Sequence, residues 1–166
     1  MKRNYISQAV QYLVGEQETN DPYRLARQLG IQVDEHPFRG RIRGMVLNIA
    51  GQVTVILNAN LPGWLKRVVL AHELGHLVLS PKGYGYFWLA EHTLMESKTE
   101  YEAHRFAAEL LSWDETPEED ETLEQFAARV GVPVEMMRYR GPYENDLAYQ
   151  VDAKGNCPKT NRSCRC

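Results

Sequence analysis

The chain has 166 residues, 43% of them hydrophobic and 25% charged, with a formal net charge of −3. That length suits one compact domain with a core of its own, and the charge excludes polyanion binding by bulk attraction. Cys157, Cys164 and Cys166 all fall in the last ten residues, so no disulfide framework holds the fold.

The opening stretch MKRNYISQAVQYLVGEQ has basic residues but no continuous apolar run after them. No secretory signal is expected, no run reaches membrane-span length, and a cytoplasmic location follows as the expectation. Within it Ile6, Ala9, Val10 and Leu13 share one helical face. The next segment, NDPYRLARQLG, has a helix start and stop: Asp21 as N-cap, Pro22 at the first position and Gly30 past the end. IQVDEH, carrying Ile31 and Val33, reads as a short strand. Arg39, Arg41 and Arg43 form a small basic cluster, read as a solvated turn and strand edge rather than a nucleic-acid patch.

GMVLNIAGQVTVILN reads as a hairpin, with strands Met45 to Ile49 and Val53 to Leu57 and an Ala50-Gly51 turn. If the second strand is a sheet edge, an extended peptide could add to it through its backbone. Asn60 or a neighbour is expected to cap a helix over 62–79. A loop rich in glycine and aromatics follows, then a helix from about Ser97 to Leu111. DETPEEDE carries six carboxylates in eight positions. They are not spaced as ligands and read as a solvated linker favouring the next helix start. Two short helices, TLEQFAARVG and VPVEMMRYR, complete residues 1–140 as one domain, with 118–140 as its C-terminal helical pair. Residues 141–166 read as a poorly structured Cys-containing tail, since CPKTNRSCRC lacks a paired C-x-x-C pattern.

The chemistry concentrates in HELGH. On a helix His72 and His76 lie one above the other and can grip one cation from one side. Glu73, one residue round, can reach a water on that cation without ligating it, the mechanical meaning of H-E-x-x-H. Gly75 costs about 1 kcal/mol relative to alanine in a helix interior, which close approach by a neighbouring element would justify. The competing reading is a core helix with a chance motif. Two histidines and a glutamate buried beside Val68, Val69, Leu70 and Leu74 would then lack partners, at a cost.

A zinc peptidase needs a third protein ligand and keeps one position for water. ESKTEYEAHRFAAELL offers two carboxylates. Ala103, Phe106, Ala107 and Leu110 form the buried face, with Glu100 at one edge and Glu102 at the other. Each also fits a capping box, from Ser97 or Thr99. Periodicity does not choose between them. Candidates for stabilising the oxyanion in this part of the chain are Tyr84, Tyr86, His92 and His104.

From DPYRLARQLGIQV through VTVILNANLPGWLKRVVLAHELGHLVLS to KTEYEAHRFAAELL, the chain resembles the ImmA/IrrE family of zinc metallopeptidases, over roughly residues 20–140. The resemblance implies an α+β, zincin-like fold: a small, mainly antiparallel sheet packed against the zinc-binding helix and surrounding helices. It implies Zn²⁺ on His72, His76 and Glu100, with Ala103 as the motif alanine, Glu73 as general base and Glu102 as the fallback ligand. His104 stands where the family's motif has Asn or Asp. That makes it either an outer partner of a zinc histidine or a competitor for the metal. The implied activity is zinc-dependent endopeptidase cleavage of a specific protein, a cognate helix-turn-helix repressor, in the setting of mobile elements and stress responses.

Two other readings compete. TLEQFAARVGVPVEMMRYR superficially resembles a helix-turn-helix, but DETPEEDE stands directly before it and phosphate contacts need positive charge. No direct nucleic-acid binding is therefore expected. The other reading is a zinc-binding regulator that does not cut, for which Glu73 would have no use.

Overall fold

The computed structural model describes residues 5–80, 88–89 and 98–140. Helix α1 (Tyr5–Gln17) buries Ile6, Val10, Leu13 and Val14, an apolar stripe of helical period. Helix α2 (Pro22–Gln28) starts as its residues dictate: Asp21 Oδ1 accepts from the backbone N–H of Tyr23 at 2.8 Å and of Arg24 at 3.0 Å. Its chain exits through Gly30 at φ 70°. Strand β1 (Gln32–His36) follows, then β2 (Gly44–Ile49) and β3 (Gln52–Asn58).

The β2–β3 hairpin pairs Ile49 with Gln52 across the two-residue turn Ala50-Gly51. Both turn residues have positive φ, 51° and 88°, the backbone hand that matches strand twist. Sheet order is β1-β3-β2-β4, where β4 (Trp88–Leu89) pairs with Val46 and Met45. The β1–β3 pair is parallel, while β2–β3 and β2–β4 are antiparallel, so the sheet is small and mainly antiparallel. The fold is α+β.

In the sheet, one open alternative is decided and one expectation is corrected. Strand β3 lies between β1 and β2, with both backbone edges paired, so no peptide can add to it. The glycine- and aromatic-rich segment, expected to be all loop, supplies β4. The reason is the same for both: strand neighbours are set by long-range pairing, which local pattern does not encode.

Helix α3 (Gly63–Leu79) is the centre of the molecule. Its N-cap is Pro62, with no side-chain cap, so the asparagine cap expected there does not form. Asn58 is instead buried and ties down the preceding loop, donating to the Ile42 carbonyl at 2.7 Å and accepting from the N–H of Asn60 at 3.0 Å. Residues Val68 through Gly75 are buried without a break, as for a helix covered on all sides. Val46, Val55 and Leu57 of the sheet share its core, and α4 (Lys98–Leu111) covers another flank.

Helix α4 is tied to α1 by Arg105, which pairs with Glu109 at 2.7 Å and donates to Ser7 Oγ at 3.1 Å. Helices α5 (Leu123–Val130) and α6 (Val134–Met137) close the described chain. α5 begins with a reciprocal Thr122–Gln125 capping box and ends at Gly131, φ 70°. Residues 141–166, including the three cysteines, lie outside the described residues.

Candidate metal centre

His72 and His76 lie one turn apart on α3 and turn the same way. Their Nε2 atoms are 3.1 Å apart, with rings nearly perpendicular at 88°. From α4, Glu100 meets both: Oε2 is 3.3 Å from His72 Nε2 and Oε1 is 3.2 Å from His76 Nε2. Both histidine side chains are largely buried, and that of Glu100 is a quarter exposed, at 26%.

Gly75 lets α4 come this close. A Cβ there would stand 3.1 Å from Ala103 Cα, from the Ala103 carbonyl oxygen and from Phe106 Cβ. Two of those atoms are backbone, so only a shift of the helix itself could relieve the contact. Ala103 is one turn beyond Glu100, which means that the same contact sets the depth of the carboxylate. On the other side of α3, Gly44 of β2 plays the matching part. A Cβ there would meet Val69 Cγ1 at 2.8 Å and come within 3.7 Å of Glu73 Oε1. Glu73 thus sits between its helix and the first residue of β2.

The donor set fits a tetrahedral cation. Bonds of about 2.0–2.1 Å imply donor atoms about 3.3–3.4 Å apart, against the 3.1–3.3 Å found. Hydrogen bonds from His72 and His76 hold the Glu100 carboxyl far below the usual carboxylate range, against the opposing effect of burial. Burial pushes the Glu73 carboxyl upward, partly offset by the charges of His72 and His76. Glu73 Oε1 and His72 Nδ1 are buried with no hydrogen-bond partner among the described residues. A carboxylate kept from water beside two imidazoles is primed to take a proton.

Glu102 turns elsewhere. It is buried toward α1, where it accepts a hydrogen bond from Tyr5 and lies 3.4 Å from Lys98 Nζ. Burial and that bond push the Tyr5 hydroxyl up to about 12. His104 does reach the centre. Its ring centroid is 4.4 Å from that of His72, and one of its nitrogens lies within 4.8 Å of donor atoms of His72 and Glu100. Two triads therefore share His72 and Glu100; the one completed by His76 has the shorter spans. Tyr84, Tyr86 and His92 lie outside the described residues.

Three contributors had no signal in the sequence. Tyr139, just past α6, stacks on His104 at 5.1 Å and 27°, and Tyr101 meets Tyr139 edge-on at 5.5 Å. Gly44 carries the third close approach. No spacing rule links Tyr139 to His104, 35 residues earlier in the chain.

Comparison with known proteins supplies the family. Uncharacterized immunity region protein 2 of Bacillus phage phi105 is 34% identical over 136 residues, which cover 79% of this chain and 85% of that protein. Residues 26–141 match the peptidase M78 family, described as the IrrE N-terminal-like domain, a span that includes every donor above. With most of its length inside that match, the chain belongs to the ImmA/IrrE family of peptidases.

Proposed function

We propose that the protein is a zinc-dependent endopeptidase that cuts a specific protein, with a helix-turn-helix repressor as its cognate substrate. The observation that carries the metal assignment is the triangle of His72, His76 and Glu100, with edges of 3.1, 3.2 and 3.3 Å. Support for the repressor comes from the phage relative, whose name places it in an immunity region.

In this reading His72, His76 and Glu100 hold the ion, and Glu102 has no part in it. When bound, zinc polarises the scissile carbonyl and lowers the pKa of a water. The Glu73 carboxylate takes the proton from the attacking water and returns it to the leaving amine nitrogen. Its burial favours the protonated form between those two transfers. Gly44 and Val69, packed beside it, keep bulk water from that carboxylate.

The test is elemental analysis of the purified full chain and three variants, followed by incubation with a candidate repressor. Zinc should be found at about one per chain, be retained in Glu73→Gln and Glu102→Ala, and be lost in Glu100→Ala. Repressor cleavage should vanish in Glu73→Gln despite bound zinc. Zinc lost from Glu102→Ala and kept in Glu100→Ala would refute the ligand set. Cleavage unchanged in Glu73→Gln would refute the mechanism.

A further inference from the structure

The metal helix offers two donors one turn apart, and α4 faces it with two more at the same spacing, Glu100 and His104. His104 stands near two of the three donors described above, and four protein ligands, where a hydrolytic centre uses three, are the mark of a closed, non-catalytic site. His104 is well placed to be the fourth. One of its nitrogens stands within 4.8 Å of donor atoms of His72 and Glu100. That span exceeds the about 3.3 Å edge of a tetrahedral zinc site, so a side-chain shift of up to about 1.5 Å closes the difference. The chemistry also favours it. Imidazole is a ready ligand for zinc.

The outer face of His104 is held as well. Tyr139 lies over it at 27°, and Tyr101 abuts Tyr139. The imidazole is thereby confined between the His72 ring and an aromatic wall supplied by the end of α6.

We propose that His104 is a displaceable fourth donor that caps the metal centre at rest, so that hydrolysis requires its withdrawal. The proposal rests on the metallopeptidase reading and adds a latency to it. In the capped state His104 has closed by that shift onto the position a catalytic water needs. Withdrawal follows when the Tyr139 wall moves, which links activity to the position of the C-terminal helical pair.

The test uses the full chain loaded with Co²⁺ in place of zinc, its visible spectrum and an azide titration, for wild type, His104→Asn, Tyr139→Phe and Tyr139→Ala. The wild type should show intense four-coordinate bands that azide scarcely moves. His104→Asn should still take up cobalt, show weaker shifted bands and bind azide at least about tenfold more tightly, a difference of about 1.4 kcal/mol. Tyr139→Phe keeps the ring and should match wild type, while Tyr139→Ala should move toward His104→Asn. Identical spectra and azide affinities for wild type and His104→Asn would overturn the proposal and leave the metal assignment standing. Failure of the wild type to bind any cobalt would overturn the metal assignment and this proposal together. Should His104→Asn not fold, the wild type decides alone, because ready azide binding with a band shift means an open centre.

Discussion

Glu73 is buried as a carboxyl whose Oε1 has no partner among the described residues. Burial raises its pKa in the folded, metal-free chain. A raised acid contributes fully below its unfolded value, about pH 4.3, where both states are protonated. That contribution is lost as pH rises through the folded value, because the fold then holds a desolvated charge. Glu73→Gln removes the penalty. Metal-free Glu73→Gln should therefore be more stable than wild type at neutral pH, by about 1–3 kcal/mol, and the gap should close toward pH 4. Thermal melts in chelator across that range check it, and equal melting temperatures at pH 7 would contradict it.

At the scale of elements, one glycine and one alanine hold the informative backbone. Gly75→Ala gains about 1 kcal/mol of helix propensity but drives a methyl into α4 backbone, an overpacking cost of about 1–3 kcal/mol. Overall stability should thus fall only slightly. Metal affinity should fall by more, since Glu100 moves with α4; a metal-competition titration separates the two effects. An unchanged metal affinity would mean that α3–α4 spacing does not set the Glu100 position. In the hairpin, Ala50 adopts φ 51°, which a residue with a Cβ dislikes. Ala50→Asn suits this turn and should stabilise the protein by about 0.5–1 kcal/mol, read as a rise in melting temperature with metal binding unaltered.

At the scale of the molecule, two arginines of the C-terminal region are tied to the acidic linker. Arg129 is clamped by Glu121 at 2.8 Å, Glu115 at 2.6 Å and the Thr116 carbonyl at 2.9 Å. Arg140 donates to the Glu115 carbonyl at 2.7 Å, and both guanidinium groups lie over the Phe126 ring. The acidic linker therefore pairs with cations that a DNA reader would offer to phosphate, and α6 is only four residues long. Duplex DNA should not be retained in a filter assay even at about 50 mM salt, where phosphate contacts are strong. Salt-sensitive retention would restore the DNA-binding reading. No helix among the described residues is long and apolar enough to cross a membrane.

Much of this was legible in the sequence, because local rules suffice for it. Asp21, Pro22 and Gly30 mark a helix by their own backbone preferences, and His72, Glu73 and His76 are neighbours by helical period alone. The choice between Glu100 and Glu102 was not legible that way. Both stand at the edges of one apolar face, and only the packing of α4 on α3 and α1 turns one toward the histidines and the other toward Tyr5. The interior place of β3, the Tyr139 wall on His104 and the Arg129 clamp share that origin. Each joins residues far apart in sequence, where close packing of particular surfaces decides who meets whom and periodicity is silent.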